Sequence, residues 1–350
     1  YGAQSLGRVQ EAPYLLAQPQ FGAGFGAADQ LALELGFDGD DARRVEAGVI
    51  FELRHNLTNG HTFLPQDKLV AATSQLLSLE AEPVIAAVDR LTELGRVEHS
   101  TIAGIAADYL PETAIAARIR AMAQHPPAPL PDAERVLQGI EAIAGITYAE
   151  RQRDAIRMAA ERRIMILTGG PGTGKTTVLS GILTLFSKLG RKTLLAAPTG
   201  RAAKRLSELT GRDAATVHRL LEAQVSPENG EMFFARNEDE PLECDAVIVD
   251  EMSMVDVLLM HSLLEALPQE ACLVLVGDPD QLPSVGAGNL FSDLIRSGIV
   301  PSVCLTEIFR QARQSLIVMN AHAVNRGELP VLTAKDRDCF FLRRRAPAQL

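Results

Sequence analysis

Residues 163–177 read RIMILTGGPGTGKTT. The first six form an almost unbroken apolar run of strand length that empties directly into glycine, which predicts a buried strand followed by a tight loop. The loop fits G-x-x-x-x-G-K-[ST] with Gly169, Gly174, Lys175 and Thr176. Each position has a physical reason. Glycines let backbone N–H groups turn inward around phosphate oxygens, and the helix that follows presents its positive end. Lys175 adds a point charge at the β/γ-phosphates, and the Thr176 hydroxyl can hold Mg²⁺. Such a pattern arises by chance in about one chain in a hundred of this length, and here it also falls between a strand and a helix. The expectation is a nucleotide site made by Gly170, Pro171, Gly172, Thr173, Gly174, Lys175, Thr176 and Thr177, with ATP and Mg²⁺ as its ligands.

Three more apolar runs follow: KTLLAAP (192–198), DAVIVD (245–250) and CLVLVG (272–277), separated by amphipathic helical text. Near-continuous apolar strands alternating with helices predict an α/β fold, a parallel sheet with helices on both faces, which places ligands at the C-terminal ends of its strands. DAVIVD ends in Asp250-Glu251. With a phosphate loop upstream, Asp250 suits a metal-bound water and Glu251 the polarisation of an attacking water; on its own the pair would more often cap a helix starting near Val255. The run at 272–277 empties into GDPDQLPSVGAG (277–288), a stiff and polar loop. The residues alone leave open whether it is more than a surface turn.

The 350 residues carry a net charge of −10, and no uncharged apolar run reaches the length of a membrane span. That charge argues against a protein that coats nucleic acid by charge alone, but does not exclude a local basic track. One exists: residues 191–219 hold Arg191, Lys192, Arg201, Lys204, Arg205, Arg212 and Arg219 against Glu208 and Asp213. A solvated helix face accounts for part of it. Cys244, Cys272, Cys304 and Cys339 lack the spacing of a zinc site and are expected to be reduced core residues of a cytoplasmic protein. The N-terminus has neither an initiator methionine nor a signal-peptide pattern, so the chain is expected to begin partway into a longer protein.

GGPGTGKTT, APTGRAAKRL (197–206), ATVHRLL (215–221), VIVDEMSMVD (247–256), GDPDQLPSVGAG and LTEIFRQ (305–311) resemble, in order and spacing, the successive motifs of superfamily 1 helicases, most of all the RecD-like branch that works without RecB and RecC. The match runs from residue 146 to 311. The resemblance implies a RecA-like motor that hydrolyses ATP to move 5′→3′ on single-stranded DNA and unwinds duplex DNA in repair and recombination. It also implies roles for Gln152 in reading adenine, Gln281 in touching the γ-phosphate and relaying its state to DNA, and Arg310 in reaching the γ-phosphate. With Lys175 and Glu251 these make the expected catalytic set, and Thr176 and Asp250 the metal pair. Pro198, Thr199, Arg201, Thr216 and His218 become single-strand contacts, where amides, hydroxyls and basic groups hold phosphates; His218 alone would more often be a packed core histidine. Residues 224–236 read as a hairpin with Asn229-Gly230 at its turn. By position it would be a pin that parts the duplex, and as a sequence it is equally a surface hairpin.

Ahead of the motor, Gly22-x-Gly24-x-x-x-Ala28 looks like a helix-hairpin-helix element, and residues 62–100 like a helix-turn-helix or winged unit whose acidity favours a structural or protein-contact role. HPPAPLP (125–131) is a proline break. The expected organisation is 1–60 helix-hairpin-helix-like, 61–124 helical or winged-helix-like, 125–145 linker and helix, 146–335 first motor domain, and 336–350 the start of a further domain, with a second RecA-like domain beyond. Expected partners are single-stranded and junction DNA, with no membrane. Two alternatives stand beside the helicase: a DNA-binding P-loop switch or scaffold without unwinding activity, and a P-loop ATPase of another class, such as a loader.

Overall fold

The computed structural model describes residues 5–17, 23–94, 96–97, 102–104, 111–225, 232–334 and 337–339. The front region runs α1 (Ser5–Glu11), α2 (Phe25–Glu34), α3 (Ala42–Thr58), β1 (Phe63–Pro65), α4 (Gln66–Leu77), α5 (Ala81–Glu93), β2 (Ile102–Gly104) and α6 (Pro111–Gln124). Next come α7 (Ala133–Ala144), α8 (Glu150–Glu161), β3 (Ile164–Gly169), α9 (Lys175–Lys188), β4 (Thr193–Ala197), α10 (Gly200–Thr210), β5 (Ala214–Thr216) and α11 (Val217–Leu220). The chain continues through β6 (Ala223–Val225), β7 (Met232–Phe234), β8 (Ala246–Val249), α12 (Val257–Ala266), β9 (Cys272–Gly277), α13 (Leu290–Ser297), β10 (Ser302–Leu305), α14 (Arg310–Arg313) and α15 (Leu316–Asn325).

β10, β3, β9, β8, β4 and β5 pair in that order, and every pairing is parallel. Strand alternation sends Ile164, Ile166, Val247, Val249, Leu273 and Leu275 to one face, where they meet α6, α12 and α13. Met165, Leu167, Ala246, Ile248, Val274 and Val276 go to the other, against α7, α8 and α9. A sheet buried on both faces has no solvent side to alternate with, which is why its strands read as continuous apolar runs. The fold is RecA-like α/β.

The front region has a core of its own, with Phe25, Val49, Leu53, Leu69, Val84, Val88 and Leu91 at its centre, and this one core spans both sides of residue 60. β1 and β2 pair antiparallel. Ala28 is fully buried, Gly24 precedes α2 with no side-chain cap, and Gly22 lies outside the described residues. Arg44 is buried and clamps Asp29 with two hydrogen bonds, at 2.8 and 3.0 Å, while also donating to the carbonyls of Gly39 and Leu77. The Tyr14 hydroxyl donates to the same aspartate at 2.8 Å. Ala287, from the 277–288 loop of the motor, is buried within this front core. Of the cysteines, Cys272 is buried and Cys244 and Cys339 half-buried, but Cys304 is exposed, because residues at alternate positions of the edge strand β10 face outward.

Candidate nucleotide and nucleic-acid site

The strand-to-loop-to-helix order expected at 163–177 is present: β3 ends at Gly169 and α9 starts at Lys175. Gly172 and Gly174 have φ of 76° and 86°, a left-handed conformation in which a side chain would be strained. Thr173 is buried, and its hydroxyl donates to the Gly170 carbonyl at 2.8 Å, closing the loop on itself. Lys175 Nζ donates to the carbonyls of Gly169 and Gly170. Burial pulls the pKa of this ammonium below the usual lysine range, and Asp278, Asp250 and Glu251 push it back up.

The loop opens on a cavity of about 810 Å³ that holds most of the expected machinery: residues 170–177, Asp250, Glu251 and Gln281. Asp250 lies at the end of β8, and its Oδ1 accepts the Glu251 amide at 2.9 Å. Glu251 takes a left-handed φ of 55°, so two adjacent carboxylates leave the strand end in different directions. Burial raises the pKa of both above the usual carboxylate range, with Lys175 and Arg205 opposing. The pair does not cap the next helix. Asp256 does so, accepting the Leu259 amide at 2.8 Å, and the helix begins at Val257 rather than near Val255.

The second residue of the 277–288 loop, Asp278, is a buried carboxylate that accepts the Asp280 amide at 3.1 Å and lies outside the expected site residues. Its carbonyl accepts the Gln281 amide, turning the exposed glutamine toward the cavity. Ser284 then donates to the Gly286 and Gly288 carbonyls, each at 3.2 Å, so the loop is cross-braced. Ala202, Arg205, Leu206 and Leu209 also line the cavity, the i, i+3, i+4, i+7 stripe of α10. Arg205 therefore lines the phosphate-loop cavity as well as belonging to the basic track.

Gln152 is buried beneath Gly174; its Oε1 accepts the Ala149 amide at 3.0 Å, and its Nε2 has no hydrogen-bond partner among the described residues. A buried amide donor left open is costly unless a ligand completes it. Phe309 stands beside it against Gly174 and lines the cavity, an aromatic surface absent from the expected set. Arg310 starts α14 in the same segment, and its side chain lies outside the described residues.

The expected nucleic-acid contacts gather at the C-terminal ends of neighbouring strands, since Ala197 of β4 pairs with Thr216 of β5. Pro198 and Thr199 follow β4; Thr199 caps α10 by accepting the Ala202 amide at 3.2 Å, and Arg201 is exposed in its first turn. Thr216 caps α11 by accepting from Arg219 at 3.1 Å. His218 is half-buried, its ring 5.9 Å from that of Phe234 on β7. β6 and β7 form an antiparallel hairpin that exposes Val225, Met232 and Phe233, while Asn229-Gly230 lies outside the described residues.

The family described as the AAA domain matches residues 152–287, and the one described as the ATP-dependent RecD2 DNA helicase HHH domain matches residues 1–63. The chain is 36% identical over 345 residues to the ATP-dependent RecD2 DNA helicase of Deinococcus radiodurans, covering 94% of this chain and 47% of that protein. It is 41% identical over 169 residues to the RecBCD enzyme subunit RecD of Mycolicibacterium smegmatis, covering 42% of this chain and 30% of that one. Among solved structures it is similar to the Pif1 helicase of Candida albicans, with a TM-score of 0.41, 25% identity and coverage of 55% of this chain and 50% of that one. The chain spans about half the length of its RecD2 relative. No helix among the described residues is long and apolar enough to cross a membrane. With phosphate loop, acidic strand end, glutamine loop and helical front region in one collinear order, the chain is similar along most of its length to RecD2-type helicases, and its first 63 residues match the HHH domain of that family.

Proposed function

We propose that this chain is the front region and first motor domain (146–335) of an ATP-dependent DNA helicase that travels 5′→3′ on single-stranded DNA and unwinds duplex DNA in repair or recombination. The observation that carries the reading is α10. One stripe of this helix lines the cavity of the phosphate loop, and its N-terminal turn stands beside Thr216 on the neighbouring strand. Nucleotide and single strand thus meet one rigid element, the nucleotide along one face and the strand at its N-terminal turn.

In this reading the loop amides and Lys175 hold the β/γ-phosphates, Gln152 completes its open Nε2 with the adenine edge, and Phe309 offers the base a stacking surface. Thr176 and Asp250 would hold Mg²⁺: both line the cavity, both offer the hard oxygen ligands Mg²⁺ prefers, and Asp250 is a buried carboxylate that a cation would compensate. Bound there, Mg²⁺ supplies positive charge to the phosphates. Glu251 accepts the proton of the attacking water. Gln281 and Arg310 attend the γ-phosphate, and Pro198, Thr199, Arg201, Thr216 and His218 hold the strand. The β6–β7 hairpin acts as the pin, and the front region grips DNA backbone without reading sequence.

Strand displacement by the full-length protein on 5′-tailed and 3′-tailed duplexes tests this directly. Unwinding of the 5′-tailed substrate alone is expected. DNA-stimulated hydrolysis with neither duplex opened would identify a P-loop switch instead.

A further inference from the structure

We propose that α15 is a strut that fixes the phosphate loop at a set distance from the Gln281 loop, with His322 as its positioning residue. The inference rests on the nucleotide-site reading above and assigns a function to a helix that lies beyond the last recognised motif. Val318, His322 and Asn325 occupy positions i, i+4 and i+7, one face of the helix. All three touch the site. Val318 packs at Gly172, where an added Cβ would come within 3.2 Å of its Cγ1. His322 lies so close to Gly170 that an added Cβ there would meet its Cε1 at 2.7 Å, and its Nε2 bonds the Pro171 carbonyl at 3.0 Å. Because that carbonyl can only accept, Nε2 carries the proton. One turn on, Asn325 Nδ2 donates to Asp280 Oδ2 at 3.2 Å, beside Gln281.

A strut has to be held. Ser315 caps the N-terminus of α15 by accepting the Val318 amide, and Asp338 accepts the Leu316 amide at 2.7 Å and the Ser315 hydroxyl. Asn320 is buried and exchanges two hydrogen bonds with the backbone of Val331, at 2.8 and 3.1 Å, tying the middle of the helix to the chain that follows. The helix is thus anchored by bonds other than the three contacts that join it to the two loops. A displacement of one loop is carried to the other instead of being absorbed.

The test uses the full-length protein and a fluorescent ADP analogue, with melting temperature measured beside every affinity. His322→Ala is expected to weaken analogue binding about tenfold, the weight of one hydrogen bond. His322→Gln, whose amide nitrogen can reach the same carbonyl, restores most of it. Asn325→Ala lowers the stimulation of hydrolysis by single-stranded DNA about fivefold. In the double variant the loss of stimulation is less than additive, because a strut released at one end holds nothing at the other. Equal weakening by His322→Ala and His322→Gln, wild-type affinity in both, or strictly additive losses would each overturn the strut. Lys175→Ala is the control on the reading beneath it: if that variant binds the analogue normally, the site assignment fails and the strut falls with it.

Discussion

Lys175 Nζ donates to the Gly170 carbonyl at 3.2 Å, so the ammonium of the phosphate loop rests on carbonyls of that same loop. These oxygens, with Asp250, Glu251 and Asp278 around them, keep a buried cation compensated. Phosphate oxygens offer a stronger partner, and the lysine needs only to turn from backbone to ligand. Lys175→Ala in the full-length protein should therefore lower hydrolysis about 10²-fold or more. Single-strand binding without nucleotide should survive, since its expected contacts lie in the turn after β4 and on α10, β5 and α11. Turnover near the wild-type rate would remove this loop from the motor.

The front region depends on a different kind of charge. Asp29→Ala strips Arg44 of its bidentate carboxylate and leaves a buried guanidinium without a counter-charge, beside the Gly39 and Leu77 carbonyls, which should cost about 3 kcal/mol or more in urea unfolding. Tyr14→Phe removes one donor to the same aspartate and should cost about 1 kcal/mol. Burial, the Asp29 hydrogen bond and the Asp29 charge raise the Tyr14 pKa above its ordinary value of 10.0. The unfolded chain therefore loses the phenolic proton first. The tyrosine's contribution is complete below pH 10 and declines as pH rises from there toward its folded value. Tyr14→Phe should flatten that alkaline decline, and an unchanged slope in the variant would assign it to another group.

The four apolar runs announced four of the six sheet strands because a doubly covered strand leaves an unbroken mark in sequence. The two edge strands left none: Ala-Ala-Thr at 214–216 is too short and too small, and Ser302–Leu305 alternates. The phosphate loop and Asp250-Glu251 were legible because their geometry is local. Asp278, Phe309 and His322 were not, since each acquires its place only when distant segments pack against the loop. Arg205 was counted among the basic residues but could not be assigned to the nucleotide side, because the sequence does not say which face of α10 meets the cavity. The exposure of Cys304 follows from the edge position of β10, equally invisible to spacing.

The hairpin makes a separable prediction. β6 and β7 stand away from the cavity and present Val225, Met232 and Phe233 to solvent, an apolar face that suits contact with bases. Replacing residues 224–236 by a tight turn should leave ATPase and single-strand translocation nearly intact while abolishing strand separation. Normal unwinding by the shortened protein would make the hairpin a surface decoration.

Gln281→Ala should damage coupling more than binding. Alanine keeps the Ser284 cross-braces and the burial of Ala287 in the front core, so the loop retains its shape while losing the one amide it directs at the cavity. ATP affinity, carried by the phosphate-loop amides and Lys175, should change little. Stimulation of hydrolysis by single-stranded DNA should fall about 5- to 150-fold, the range of 1–3 kcal/mol of coupling free energy, and unwinding should fall with it. The measurement is the ATPase rate with and without saturating single strand, beside nucleotide affinity by titration. Since the loop is braced on one side by α15 and on the other by the front region, a stimulation ratio unchanged in Gln281→Ala would mean that the signal travels through the loop's backbone and its two supports, and not through the glutamine.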